Sequence, residues 1–194
     1  MSAHASTVGV SVCTVARHSI RQATLADCEA LAAFIAEAWV AAYATVLPRP
    51  VKAPGSNPGD WQTYLSSQPA DDRVWLATAR GGRIAGYART GATRDDDLAG
   101  RSGERWAELF GHYTDPGALR EGTGTTLLSR VSDDLSARGY TSIALWQFVG
   151  NPVAAAFYER RGLPLDGARR ASRYGVDEVR RAARLPLVDP NLAG

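Results

Sequence analysis

The chain has 194 residues, is 45% hydrophobic and carries 22 Lys plus Arg against 20 Asp plus Glu, a formal net charge of +2. That supplies enough apolar side chain for one domain with a sizeable core, and too little net charge to argue for a polyanionic partner, so wholesale disorder and nucleic-acid binding are set aside. Two cysteines without metal-ligand spacing and three scattered histidines give no metal signature, and no apolar run approaches the length of a membrane span.

This balance reads as a reduced, cytoplasmic protein with no membrane contact. Residues 1–18 hold a short apolar run from Val8 to Val15 and are read as a tail or an extra edge strand; the domain is placed at 19–187, and 188–194 as a C-terminal tail. Ile20, Arg21, Gln22 and Ala23 form a short extended segment. It leads into Thr24-x-x-Asp27, a capping-box-like helix start with Asp in the Glu position. Cys28, Leu31, Ile35, Ala38, Trp39 and Ala42 then recur at three- and four-residue spacing, which predicts an amphipathic helix stopped by Pro48 and Pro50.

Four prolines and two glycines between 48 and 60 predict an irregular surface loop that could face substrate, followed by a short helix at 61–67. The runs 73–79 and 83–89 read as strands joined by a hairpin at Arg80-Gly81-Gly82. Asp95, Asp96 and Asp97, with Gly100 and Gly103, read as a polar loop whose acids are a solvated turn. From Glu104 the pattern alternates: strand 105–114, helix 122–137, strand 141–148, helix 152–161. Such alternation predicts a βαβα unit with two neighbouring parallel strands. Leu127, Leu128, Val131 and Leu135 line one face of the first of these helices, which ends at Gly139. The second has Asn151 at its N-cap, Pro152 at N1 and Gly162 past its end. A last extended stretch, 173–187, is expected to add an edge strand.

The turn Leu119-Arg120-Glu121-Gly122-Thr123-Gly124 sits after a strand and opens a helix near Thr125. Free amides at a helix N-terminus, together with the positive end of its dipole, suit a pyrophosphate, and glycines let phosphates approach. Two glycines alone are weak evidence, because any strand-to-helix turn can use them.

The surroundings carry more. The preceding strand ends Glu108-Leu109-Phe110-Gly111-His112-Tyr113-Thr114-Asp115-Pro116. The following strand reaches Trp146, then Asn151-Pro152-x4-Phe157-Tyr158-Glu159-Arg160-x-Gly162-Leu163. In this order the chain resembles the GNAT superfamily of N-acetyltransferases, with Asn151, Ala154, Phe157, Tyr158 and Gly162 in the family's register and Leu163 replacing its usual Phe. The likeness extends over about 19–187 and is more specific in the C-terminal half. It implies an α/β (α+β mixed-sheet) single domain: a central, mostly antiparallel sheet with one parallel, splayed strand pair, flanked by helices. It also implies acetyl-CoA as cofactor and a small-molecule amine as acceptor; a homodimer is left open.

By the same resemblance, backbone groups of Tyr113 and Thr114 would pair with the pantetheine arm. Residues Leu119, Arg120, Glu121, Gly122, Thr123, Gly124 and Thr125 would wrap the pyrophosphate, and Asn151 would lie near the thioester. Leu119 stands where the family usually has Gln or Arg, and Glu121 puts an acid beside the free amides, with Arg120 available to compensate.

Acetyl transfer needs a deprotonated amine, a polarised carbonyl and an acid for the departing thiolate. Glu108 occupies the strand position from which family members act on the amine, and Tyr158 matches the usual general acid. Strict strand alternation puts Glu108, Phe110, His112 and Thr114 on one side, so Glu108 and His112 could pair as acid and base. His112 as a hydrogen-bonded core residue is the simpler alternative. Trp39, Tyr43 and Trp61 either line an acceptor pocket or belong to the core. Two rival functions stay open: a repurposed GNAT fold doing CoA-independent chemistry such as hydrolysis through Glu108 and His112, and a non-catalytic acyl-CoA-binding domain.

Overall fold

Seven strands form one sheet in the order β1-β2-β3-β4-β5-β7-β6. In chain order they are β1 (Ser19–Gln22), β2 (Arg73–Thr78), β3 (Ile84–Ala92), β4 (Trp106–Thr114), β5 (Ser142–Phe148), β6 (Leu165–Ala171) and β7 (Asp177–Arg184). Among the described residues five α-helices accompany them: α1 (Cys28–Tyr43), α2 (Pro58–Ser66), α3 (Asp96–Ala99), α4 (Thr123–Ala137) and α5 (Pro152–Glu159). This computed structural model describes residues 18–118 and 121–187. The expected tails, the Val8 to Val15 run, and Leu119 and Arg120 of the turn fall outside the described residues.

All pairings are antiparallel except β4 with β5, which run parallel through Trp106↔Ser142, Ala107↔Ile143 and Glu108↔Ala144. Past Glu108 the two strands share no further register: β4 continues against β3, and β5 against β7. The sheet therefore opens into a V between them, with α4 as the crossover.

Apolar helix faces fix the layers. The stripe predicted on α1 is buried through Cys28, Leu31, Ile35, Ala38 and Trp39, and packs with Trp61 of α2 on Val74, Leu76 and Tyr87. On the opposite face Leu127, Leu128, Val131 and Leu135 of α4 pack with Tyr158 of α5 on Trp75, Ala88, Leu109, Ile143 and Leu145. Burying a Leu or Val side chain is worth about 1.5–3 kcal/mol, so these two stripes hold helices to sheet. Asn57 caps α2 through Gly59 N–H at 3.1 Å with Pro58 at the first position, which starts that helix earlier than the 61–67 expected.

Three sequence expectations change. The acids at 95–97 are not merely a solvated turn: α3 forms there over a fully buried Leu98, Asp95 accepts from the Trp146 indole at 2.9 Å, and Asp97 accepts from Arg180 at 2.7 Å. The last extended stretch is not the edge. β7 lies between β5 and β6, and β6 is the edge strand, missed because an exposed run with Gly167 in it shows no alternation. Finally, β4 does not alternate strictly. Arg89 pairs with Gly111 and Thr90 with Leu109, so Phe110 has no register partner and forms a β-bulge. One extra residue inverts the facing of everything beyond it.

Candidate active site

The mouth of the V is closed by the first turn of α4. Gly122 caps it in the left-handed region at φ 84°, and its carbonyl takes the Thr126 amide at 2.9 Å. The amides of Thr123, Gly124 and Thr125 find no acceptor among the described residues. Glu121 is exposed, and no side chain among the described residues caps the turn. Its two glycines divide the labour. Among the described residues nothing lies within 4 Å of a Cβ built on Gly122, whereas one on Gly124 would meet Thr114 Cγ2 at 3.3 Å and both His112 Cε1 and Phe157 Cε2 at 3.5 Å. Gly122 leaves space outside; Gly124 serves helix-to-strand packing. A cation not anticipated from sequence stands alongside: Arg161, after α5, donates to Thr125 Oγ1 at 2.6 Å.

Deeper in the V, Tyr158 of α5 and His112 of β4 meet. The His112 Nε2 lies 3.1 Å from the Gly124 carbonyl oxygen, and its Nδ1 lies 3.4 Å from the Tyr158 hydroxyl. A carbonyl only accepts, so Nε2 carries the proton and Nδ1 presents its lone pair to Tyr158. Burial drives the imidazole down to about 4, so it is neutral at pH 7. Burial likewise pushes the Tyr158 phenol up, with the nearby Tyr43 adding to the effect.

Glu108 is elsewhere. Because of the bulge at Phe110, Ala107, Leu109 and His112 face α4, while Glu108 and Tyr113 face α1. The acid/base pairing of Glu108 with His112 expected from alternation is therefore not formed. Glu108 is buried, and its carboxylate accepts from Arg94 Nη2 at 2.9 Å, Arg94 Nε at 3.3 Å and the Arg94 amide at 3.2 Å. Arg94 itself is largely exposed and lies 4.2 Å from the Phe110 ring. No sequence pattern marks Arg94, since it sits in an irregular segment and is brought to Glu108 only by the β3–β4 pairing.

Tyr43 and Tyr113 line the α1 side of the V with ring centroids 6.3 Å apart, and Phe148 lies 5.0 Å from Tyr43. Burial and the neighbouring Tyr43 raise the Tyr113 phenol well above its ordinary range. Trp39 is a core residue, 6% exposed and edge-on to Tyr43, Phe148 and Tyr174; Trp61 is core as well. Thr114 ends β4 against α4. Asn151 is buried as the cap of α5, its Oδ1 accepting from the Ala154 amide at 3.1 Å. Among the described residues no group of three or more His, Cys, Asp or Glu could hold a metal, and no helix is long and apolar enough to cross a membrane.

A mixed sheet opened between two parallel strands, with unbonded amides at its mouth and a buried phenol inside, is the framework of an acyltransferase. A model of the acetyltransferase (GNAT) family matches residues 32–163, and the chain belongs to that family. Comparison with curated protein sequences returns no match. Among solved structures the fold is shared with the PaiA N-acetyltransferase of Thermoplasma acidophilum in complex with coenzyme A, at 17% identity over 86% of this chain and 99% of that one, TM-score 0.64. The ribosomal-protein-S18-alanine N-acetyltransferase of Escherichia coli matches at 22% identity over 91% and 99%, TM-score 0.59. The yncA protein of Salmonella typhimurium, solved with acetyl-CoA, matches at 20% over 87% and 94%, TM-score 0.63.

Proposed function

We propose that this acyltransferase moves an acetyl group from acetyl-CoA to the amine of a small molecule in one direct step. The observation that carries the reading is the V itself, with the free amides of Thr123 to Thr125 at one end and the Tyr158 hydroxyl inside. The residues fit the cofactor: three amides at a helix N-terminus suit a diphosphate, Arg161 adds positive charge beside them, and no described residue crowds Gly122. The parted edges of β4 and β5, including Tyr113 and Thr114, offer backbone groups to an extended pantetheine arm. Bound acetyl-CoA supplies the thioester. The amide nitrogen of Asn151 is the free half of a side chain whose oxygen is committed to the α5 cap, and is assigned to the thioester end.

Glu108 is assigned to the acceptor. Arg94 covers its carboxylate from the solvent side, so the amine is reached across that ion pair, directly or through one water. As the amine nitrogen bonds to the carbonyl carbon the C–S bond breaks; the nitrogen's proton passes towards Glu108 and the thiolate takes a proton from Tyr158. Tyr43 borders the acceptor space, whereas Trp39 supports it from the core. The separation of Glu108 from His112 removes the acid/base pair on which a CoA-independent reaction would rest.

Two measurements test this. Calorimetric titration with acetyl-CoA should show saturable binding, and none at millimolar concentration sinks the reading. In a screen of acetyl-CoA against a panel of amines, Tyr158→Phe should lower kcat by about 10²-fold or more with little change in the KM for acetyl-CoA. Unchanged turnover in that variant removes Tyr158 from the mechanism.

A further inference from the structure

Among the described residues His112 is the one side chain hydrogen-bonded to the Tyr158 hydroxyl, and it bonds the first turn of α4 with its other nitrogen. We infer that His112 is a positioning residue for Tyr158: its Nε2–H is anchored on the Gly124 carbonyl, and its Nδ1 lone pair holds the phenol oxygen at the point in the V where the leaving sulfur departs. This rests on the acetyl-transfer reading above.

The roles of the two nitrogens follow from the partners. Gly124 O cannot donate, so Nε2 must; a neutral imidazole then has only an acceptor left for the hydroxyl. The arrangement survives at neutral pH because desolvation keeps the ring neutral, with no proton at Nδ1 to repel the phenol proton. The ring packs 5.4 Å from the Phe157 ring, and its Cε1 lies 3.5 Å from where a Cβ on Gly124 would stand, at van der Waals contact. At 3.4 Å the bond to Tyr158 is long for O–H···N. That length matters: a thiolate is a charged acceptor and forms the stronger bond, so the hydroxyl rotates from Nδ1 to sulfur as charge develops there. His112 thus sets where the oxygen stands before the hydroxyl turns.

Because the same ring is anchored on α4, the turn assigned to the diphosphate and the group assigned to the sulfur share one rigid link, Gly124 to His112 to Tyr158. An apolar residue of similar bulk would fill the space and supply neither bond.

The test uses the full-length protein with four variants: His112→Leu, His112→Asn, which keeps an oxygen acceptor near the Nδ1 position, Tyr158→Phe, and Tyr158→Phe with His112→Leu. With acetyl-CoA and any amine turned over in the screen, His112→Leu should lower kcat about tenfold with the KM for acetyl-CoA within about twofold, and His112→Asn should recover part of the loss. Added to Tyr158→Phe, His112→Leu should cost nothing further; a structural role would give additive losses and overturns the inference. Tyr158→Phe impaired but His112→Leu at wild-type kcat also overturns it and leaves the acetyl-transfer reading standing; an unimpaired Tyr158→Phe removes Tyr158 from the mechanism and this inference with it, whereas only the absence of acetyl-CoA binding defeats the acetyl-transfer reading. A measurement independent of turnover is the 15N spectrum of the histidine rings at pH 7: His112 should be the Nε2–H tautomer, with an Nδ1 resonance that moves in Tyr158→Phe. An Nδ1–H tautomer, or an unmoved resonance, refutes the proposal.

Discussion

A half-buried histidine without a charged partner makes stability depend on pH in a defined direction. His112 titrates near 4 when folded, lowered by burial, and near 6.5 when unfolded, so between these values the unfolded chain binds the extra proton. Its contribution is complete above about 6.5 and is lost as pH falls towards 4. From pH 7 to pH 5 the wild type should lose about 2 kcal/mol of unfolding free energy that His112→Leu does not lose, measured by urea denaturation at both values. At Gly91 the residue scale is steric: a Cβ there would lie 2.1 Å from Asp72 Oδ1 and 2.8 Å from Phe110 Cε2. Asp72 is tied to the Tyr64 hydroxyl and to Arg89, so Gly91→Ala must break that cluster and should cost about 2–3 kcal/mol in a thermal melt. The places of individual residues were legible where type and register suffice: Asn151 at the cap of α5, Tyr158 within it, and the glycines at the start of α4. Arg94, Arg161 and the partner of His112 were not, because each contact joins elements far apart in the chain and leaves no local pattern.

Elements with strong local signals stand where they were expected: the stripe of α1, the Leu-rich face of α4, and α5 between Asn151 and Gly162. Strands were harder at the C-terminal end, since β6 is exposed along its length and β7 carries buried Arg180 and Arg181 where an apolar side chain would be the usual signal. Arg180 reaches across from β7 to Asp97 at 2.7 Å, Asp95 at 3.2 Å and Asp166 at 2.7 Å, and these carboxylates, Asp97 first, raise its own titration. It therefore pins the α3 segment onto the sheet beside Glu108. Arg180→Met should lower stability by about 2–3 kcal/mol, given that Asp97 is well exposed. Hydrogen exchange should quicken over 93–105 while α4 amides keep wild-type protection; uniform loss of protection would count against a local tether.

At the scale of the molecule, two apolar layers clamp one sheet, and the V lies between them rather than on either. A cofactor seated there touches both layers, so its binding should stabilise the whole domain. Acetyl-CoA at a hundredfold excess over its Kd should add about 2.7 kcal/mol, or about 5–10 °C in Tm, and an unshifted melt would speak against a site spanning both layers. The parallel pair was readable from the strand and helix alternation after Glu104, and the mixed sheet from the family resemblance. The sidedness of β4 was not, because a bulge is decided by the pairing partner and not by the strand's own residues. That single unpaired phenylalanine works as a parity bit. Deleting it would leave β4 able to keep only one half in phase: either Glu108 swings round to the α4 face, or His112 swings away from Tyr158. Length variation of one residue, harmless in most loops, is here a change of address for every group on one arm of the strand.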